Sequence, residues 1–134
     1  MNAFRYVVDM SDDNAPRVLG RLLAALVALD VDYLRGNPRT PLLYAAGVRY
    51  EQEEGDREDW LDVPNVLARR RGDCEDLACW RVAELRVAGE TGARVCFRRM
   101  IHKNGLSLFH VYVKRANGTR EDPSARLGMP GGVA

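Results

Sequence analysis

Two Asn-Gly turns, at positions 104–105 and 117–118, constrain the fold of this chain more than any other feature of its sequence. Asparagine and glycine accept the positive φ angles of tight hairpin turns, and both pairs lie between segments that alternate apolar and polar residues. The expected strands are 93–101, 106–115 and a shorter one that ends at Asp122 before Pro123. Because turns this short join only antiparallel neighbours, we expect a three-stranded antiparallel meander.

Helical patterns occupy most of the preceding sequence. Apolar residues recur at helical spacing between the N-cap residues 11–14 and Gly36, which predicts the first helix. A second helix is expected over 62–72 and a third over 73–89. Helices followed by an antiparallel meander are typical of an α+β fold.

The remaining segments are less regular. Residues 4–10 suit a short strand or an ordered lead-in, and 42–50 suit a short helix or strand within a loop-rich stretch. No internal repeat, low-complexity tract or linker interrupts the sequence. We therefore expect a single domain over residues 1–134.

Composition and charge argue against several classes of function. The net charge is +1, and no basic stripe interleaves with aromatic residues, so nucleic-acid binding is not expected. The longest apolar run, 22–29, is too short to span a membrane, and the N-terminus lacks the pattern of a secretory signal. The three cysteines form no disulfide framework, so we expect a reducing, cytoplasmic location.

Cys74 is the first candidate for chemistry. It follows Gly72 and Asp73 at the expected start of the third helix. The helix dipole and the free backbone N–H groups at that end favour a thiolate, the nucleophilic form of cysteine. His110 and Asp122 follow in strand-like sequence. A base, and a carboxylate that orients the base, are the partners that a cysteine nucleophile needs.

The length of the last turn decides whether His110 and Asp122 can meet. Side chains alternate between the faces of a sheet, so a two-residue turn would pair Val113 with Asp122 and place the carboxylate on the wrong face. A three-residue turn, with Gly118 left-handed in a bulge, would pair Tyr112 with Asp122. Asp122 would then lie diagonal to His110, about 7 Å away between backbones. A catalytic triad therefore predicts the three-residue turn or another of odd length.

Each of these residues also has an ordinary structural interpretation. A buried cysteine often serves as a small apolar side chain. His110 could be a hydrogen-bonded core histidine, and Asp122 before Pro123 could be a turn residue. His102 is a rival base, but its place beside a turn suggests a solvated loop residue. The order of the three residues and the parity of the turn together favour catalysis.

Four stretches of the chain carry a family resemblance. They are Asp59-Trp60 with Pro64, Gly72-Asp73-Cys74-Glu75-Asp76-Leu77-Ala78, Phe109-His110-Val111-Tyr112-Val113 and Glu121-Asp122-Pro123-Ser124. They resemble the transglutaminase-like cysteine enzymes, especially the bacterial transglutaminase-like cysteine proteinases, over about half the chain, residues 59–124. The resemblance implies a papain-like core, in which the helix that carries the nucleophile packs on an antiparallel sheet that carries the histidine and the aspartate.

The resemblance also implies roles for the side chains. Cys74 would attack an amide carbonyl of a peptide or protein and form a thioester. His110 would act as base and then acid, and Asp122 would orient His110. Water as the acceptor makes the enzyme a peptidase or amidase that acts on a peptide or isopeptide bond, whereas a primary amine makes it a transglutaminase.

An oxyanion hole in such enzymes combines the backbone N–H of the nucleophile, here Cys74, with an upstream polar or aromatic side chain. The upstream candidates in this chain are Tyr44, Tyr50, Trp60 and Asn65. Trp60 suits a core position equally well.

Carboxylates flank the thiol. Asp73, Glu75 and Asp76 suit the first turn of a helix, yet they oppose thiolate formation because like charges disfavour ionisation. The resemblance offers a second role for Asp73 and Glu75, since some bacterial relatives bind calcium through carboxylates at these positions. The stretch has fewer oxygens than the six to eight that calcium prefers. The chemistry otherwise requires no cofactor, and the cysteines lack the paired spacing of a zinc site.

A function of a different class is also open. A non-catalytic scaffold could keep the same fold and act in assembly, for instance of a virion or a secretion particle. Such a module would have little reason to keep a cysteine, a histidine and an aspartate together. The expected partners are a protein or peptide substrate and, for the scaffold, an assembly partner, while the oligomeric state is open.

Overall fold

The computed structural model describes residues 13–53, 59–101 and 107–130. Its helices are α1 (Ala15–Gly36), α2 (Val63–Arg69), α3 (Cys74–Val87) and α4 (Pro123–Arg126), with a 3-10 turn at Leu43–Ala45. Its strands are β1 (Arg49–Tyr50), β2 (Arg71–Gly72), β3 (Arg94–Ile101), β4 (Ser107–Lys114) and β5 (Arg120–Glu121). The fold is a small α+β arrangement, as the sequence predicts. None of the described helices has the length and apolarity needed to cross a membrane.

The C-terminal strands form the antiparallel sheet that the turn sequences predict. Its strand order is β3-β4-β5, and Arg98 on β3 lies opposite His110 on β4. The turn at 104–105, His102 beside it and the segment 4–10 lie outside the described residues. The support for a hairpin at 104–105 is therefore the antiparallel pairing of β3 with β4, the two strands on either side of it.

The turn between β4 and β5 has three residues, as the triad hypothesis requires. A 2.8 Å bond from the N–H of Arg115 to the carbonyl of Thr119 closes it. Gly118 has a φ of +87°, the left-handed conformation that the bulge at this position needs and that a side chain would strain. The register of β4 with β5 brings Asp122 level with Tyr112, on the same face as His110.

Helix α3 is the centre of the molecule. Every residue from Cys74 to Leu85 except Arg81 is buried. One core cluster joins α3 to α1 and the sheet through Leu19, Leu23, Leu26, Val27, Ala78, Val82, Val111 and Val113. A second joins it to the middle of the chain through Leu43, Val48, Val63, Val66, Leu77, Trp80 and Ala83. Because α3 is buried on almost all sides, its carboxylates must find their hydrogen-bond donors inside the protein.

Two local features differ from the sequence predictions. Helix α2 ends at Arg69 and not at Gly72, because Arg70 is left-handed with a φ of +58°. The N–H of Arg70 donates to the carbonyl of Val66 at 2.7 Å, which closes the helix, and β2 then pairs in parallel with β1. The single turn of α4 after Pro123 is also absent from the predictions, since four residues are too few to show a helical period.

Candidate active site

Strand β5 ends directly before Asp122, whose carboxylate has two uses. Its Oδ2 lies 2.8 Å from His110 Nε2, and both side chains are buried. Its Oδ1 accepts the N–H of Ala125 at 3.3 Å and so caps α4. The aspartate is therefore a turn residue and a histidine partner at the same time.

The bond to Asp122 assigns the tautomer of His110. Because a carboxylate accepts, Nε2 carries the hydrogen and Nδ1 is left as an acceptor. Nδ1 makes no hydrogen bond within the part of the chain that the structure describes. The ring thus has one nitrogen held in place and one available to take a proton.

Cys74 is the first residue of α3, and its sulfur lies against the backbone of β4. The sulfur is 4.0 Å from the carbonyl oxygen of Phe109 and receives the backbone N–H of Val111. These two residues precede and follow His110, so the thiol and the imidazole project from neighbouring positions. Among the described contacts, no hydrogen bond joins the sulfur to His110 itself.

The resting cysteine is a thiol. Its Sγ donates to Glu75 Oε2 at 3.3 Å, and only 8 % of the residue is exposed. Burial first, and then the charges of Glu75 and Asp73, raise the pKa of the Cys74 thiol well above its ordinary value, and the N–H of Val111 opposes them. The helix position alone predicts a thiolate. Burial beside two carboxylates outweighs the helix dipole at this site.

The backbone N–H of Cys74 is occupied by the cap of its own helix. Asp73 Oδ1 accepts it at 2.7 Å, and Asp76 Oδ2 accepts the N–H of Asp73 at 3.0 Å in a reciprocal capping box. Asp76 Oδ1 also accepts the N–H of Leu61 at 2.7 Å. An oxyanion hole built on the N–H of Cys74 therefore requires the Asp73 carboxylate to rotate away.

Two of the four upstream candidates for that hole are engaged elsewhere. Asn65 is exposed, and its side-chain amide donates to Asp62 Oδ1 at 2.6 Å, at the start of α2. The Tyr44 hydroxyl donates to Glu121 Oε2 at 2.6 Å. Both side chains therefore have structural partners that are not part of the thiol site.

Tyr50 lies closer to the thiol. Its pKa is raised above its ordinary value by burial, and then by the negative charges of neighbours. Those neighbours are Asp73, Glu75 and Asp122, together with Cys74 in its ionised form. Its hydroxyl makes no hydrogen bond to another described residue, whereas Trp60 packs half-buried against the core cluster that contains the thiol. Tyr50 and Trp60 are therefore the two candidates that pack against the cluster containing the thiol, and the Tyr50 hydroxyl can donate to a developing oxyanion.

Three potential metal ligands lie together at the start of α3. A carboxylate oxygen of Asp73, the sulfur of Cys74 and a carboxylate oxygen of Glu75 are within 4.8 Å of one another. This set fits calcium poorly, because calcium prefers six to eight oxygen ligands, one of these atoms is sulfur and Asp73 already caps the helix. We assign no chemical step to a metal at this position.

Sequence reasoning missed a buried ion network, which is centred on Glu121, the residue before Asp122. Glu121 Oε2 accepts from Arg81 Nε at 2.6 Å as well as from Tyr44, and Glu121 Oε1 accepts from Arg115 Nη1 at 2.9 Å. Neighbouring side chains on a strand point to opposite faces, so these bonds anchor β5 to α3 while Asp122 faces the other way. The sequence did contain one signal. In the three-residue turn Glu121 lies opposite the apolar Val113, so its side chain is expected to be buried and to need a donor.

The structure thus brings Asp122 to His110 and places Cys74 against the adjoining backbone. A thiol, an imidazole with one nitrogen available and a carboxylate that orients the imidazole are components of acyl transfer by a cysteine nucleophile. Comparison of the chain with protein-family models, with curated proteins and with solved structures finds no match.

Proposed function

We propose that this chain is a cysteine-dependent acyl-transfer enzyme of the transglutaminase-like type, with a papain-like core. Cys74 is the nucleophile, His110 the base and then the acid, and Asp122 the residue that orients His110. The observation that carries the proposal is the buried 2.8 Å contact of His110 with Asp122 beside the thiol. The favoured reaction is hydrolysis of a peptide or isopeptide bond through a thioester, with amine transfer as the alternative.

Acylation begins with a movement of the thiol. Rotation of the Cys74 side chain away from Glu75 presents the S–H to Nδ1 of His110, which takes the proton while Nε2–H stays bonded to Asp122. The sulfur attacks the carbonyl carbon of the amide, a C–S bond forms and the carbonyl electrons move to oxygen. When the intermediate collapses the C–N bond breaks, and the imidazolium gives its proton to the leaving amine.

Deacylation uses the same groups in the same order. Water or a primary amine attacks the thioester, His110 takes its proton, and the proton then returns to the sulfur of Cys74 as the C–S bond breaks. Water yields a carboxylic acid, whereas an amine yields a new amide. The Tyr50 hydroxyl, and the N–H of Cys74 once Asp73 has moved, would stabilise the oxyanion in both halves of the reaction.

Selective alkylation tests the proposal. Cys96 is partly exposed whereas Cys74 and Cys79 are buried, so accessibility alone predicts that iodoacetamide modifies Cys96 fastest. Activation by His110 predicts instead that Cys74 reacts fastest. Mass spectrometry of time-resolved digests of the full chain measures the three rates.

Variants of the base provide the control for this experiment. His110→Ala should slow the modification of Cys74 by roughly tenfold or more and leave Cys79 unchanged, since the sulfur of Cys79 lies against the carbonyl oxygen of Leu23 in α1 and not beside the imidazole. Equal and slow modification of Cys74 and Cys79 in the wild-type chain would contradict the proposal.

A product assay separates hydrolysis from amine transfer. A peptide mixture is incubated with the wild-type chain and with Cys74→Ala, with and without a fluorescent primary amine. New peptide termini indicate hydrolysis, and fluorescence in the peptides indicates transfer. Products formed equally by Cys74→Ala would exclude the thiol as the nucleophile.

A non-catalytic scaffold is the second candidate, and one observation favours it. The thiol of Cys74 is buried and protonated, and the backbone N–H that would stabilise an oxyanion is bonded to Asp73. In an assembly module these contacts would simply stabilise the start of α3. The alkylation experiment decides between the two, because a scaffold gives Cys74 no advantage over the half-exposed Cys96.

A further inference from the structure

The two faces of the C-terminal sheet differ in charge. Residues directly opposite each other in antiparallel strands project from the same face, and the register of the sheet aligns several cations in this way. Arg94 lies opposite Lys114, Lys114 lies opposite Arg120, and Arg98 lies opposite His110. We call these four cations, Arg94, Arg98, Lys114 and Arg120, the outer sheet face.

Apart from Asp122, which is bonded to His110, the carboxylates that pair with this region do so from the opposite, inner face. Arg115 pairs there with Glu90 at 2.6 Å and with Glu121 at 2.9 Å, and Arg81 pairs with Glu121 and Glu84. These acids are therefore already neutralised. The net charge of +1 hides a separation of charge that only the strand register reveals.

The cations of the outer sheet face have no such compensation. None of the four forms an ion pair with a described residue, and Arg94, Arg98 and Arg120 are exposed. Arg120 instead lies 5.3 Å from the centre of the Tyr112 ring. Like charges directly opposite each other destabilise a sheet, so this arrangement opposes folding until an anion covers it.

We propose that the outer sheet face binds an acidic segment of a polypeptide. The row formed by Arg94, Lys114 and Arg120 crosses three strands, roughly 10 Å, which suits a few carboxylates of one extended segment. The face continues into the site, since Arg98 lies opposite His110 and Asp122 projects from the same side. Electrostatic complementarity of this kind selects partners and accelerates their encounter.

The position of the acids around the thiol refines this inference. Asp73 and Glu75 flank Cys74 and would repel a uniformly anionic ligand, such as a phosphate backbone, that continued past the sulfur. An acidic peptide can confine its carboxylates to one side of the scissile amide. That the bound segment is a substrate rests on the proposed function, whereas the binding itself does not.

Binding is measured on the full chain carrying Cys74→Ala, which cannot turn over a substrate by the proposed route. The ligand is a fluorescein-labelled peptide of six glutamates separated by glycines, followed by fluorescence anisotropy at low ionic strength. We expect saturable binding that weakens steeply as salt is added, because exposed charges are screened within about 10 Å at 0.1 M salt. A peptide with lysine in place of glutamate should not bind.

A matched pair of double variants locates the site. Arg94→Glu with Arg120→Glu should weaken binding by about tenfold or more, whereas Arg35→Glu with Arg39→Glu changes the net charge equally and should alter it by less than about twofold. Both control arginines are exposed and lie at the end of α1 and just beyond it. Arg94→Gln with Arg120→Gln, which should weaken binding less, replaces the first pair if charge reversal prevents folding.

Two results would overturn the inference. Equal weakening in both double variants would show an effect of net charge alone, and tighter binding of a single-stranded oligonucleotide of equal charge would assign the face to nucleic acid. Alkylation of Cys74 in the wild-type chain is the independent readout of the proposed function. Fast alkylation without peptide binding refutes only this inference, and peptide binding with slow alkylation refutes only the catalysis.

Discussion

Helix α3 carries buried carboxylates in two regions that differ in the donors they meet. In its first turn, Asp73 and Asp76 accept backbone N–H groups. Two turns later, Glu84 pairs with Arg81, which also reaches Glu121 on β5. The two regions have similar burial and differ in their donors, which are backbone N–H groups in the first turn and guanidinium groups at Glu84 and Glu121.

The pKa values depend on how many donors, and which charges, reach each acid. Burial raises the pKa of Glu84 even though Arg81 donates to it. Burial raises the pKa of Asp76 to about 8, because backbone N–H groups offset only part of the loss of water and nearby acids add to it. Burial alone would also raise the pKa of Glu121, but the bonds from Arg81, Tyr44 and Arg115 hold it below its ordinary value. Glu121 is therefore a fixed anion that anchors the sheet, whereas the first turn of α3 can exchange protons. Groups such as Asp76, whose pKa is shifted towards neutral pH, are the kind that active sites use.

Removal of the fixed anion should have the largest effect. Glu121→Gln removes the buried acid that Arg81 and Arg115 share and leaves Arg81 with Glu84 alone and Arg115 with Glu90 alone. We expect a loss of about 3 kcal/mol in the free energy of unfolding, since one member of a buried network is neutralised. Urea denaturation measures it. The control is Glu51→Gln at the exposed 3.2 Å pair with Arg71, which should lose less than about 0.5 kcal/mol. Equal losses would show that the buried network contributes no more to stability than an exposed ion pair.

A third carboxyl extends the comparison away from the site. Asp30 in α1 is fully buried; its Oδ1 accepts the N–H of Val63 at 2.9 Å, and its Oδ2 has no partner among the described residues. Burial raises its pKa to about 7 from an ordinary value of 3.8, and Asp62 adds to the effect. The folded state therefore holds this proton more tightly than the unfolded chain does. The stability that Asp30 contributes is fully present below pH 3.8 and is lost as the pH rises towards 7.

Asp30→Asn copies the protonated form and removes this dependence. We expect the variant to match the wild type near pH 4 and to exceed its free energy of unfolding by on the order of 2 kcal/mol at pH 8. Denaturation curves of both chains across this pH range measure the difference. A difference that stays constant with pH would show that Asp30 is ionised in the folded state throughout.

The smallest expected effect concerns the thiol. Glu75→Gln removes the charge 3.3 Å from Cys74 Sγ, and we expect the pKa of Cys74 to fall towards its ordinary value. Iodoacetamide should then modify Cys74 about tenfold faster near neutral pH, where the thiolate is scarce. Cys96, which lies on β3, is the internal control, because Glu75 also raises the pKa of Cys79. An unchanged rate at Cys74 would mean that burial alone keeps it protonated.

Local signals predicted most of the fold. The apolar period marked α1 and α3, and the Asn-Gly pair at 117–118 predicted a turn whose parity the structure confirms. The end of α2 was misplaced because Arg70 adopts positive φ without being glycine. The Glu121 network was missed because its arginines and its tyrosine come from distant parts of the chain.

The sequence by itself reduced the meeting of Asp122 with His110 to one question, whether the turn at 117–118 has an odd length. A strand has a period of two, and a left-handed glycine sets the length of its turn, so both causes lie within a dozen neighbouring residues. Only the tertiary structure decided the charge of Cys74 and the separation of cations from acids across the sheet. Both depend on burial and on which distant groups become neighbours, and in a low-dielectric interior those contacts outweigh the local preference of a helix terminus.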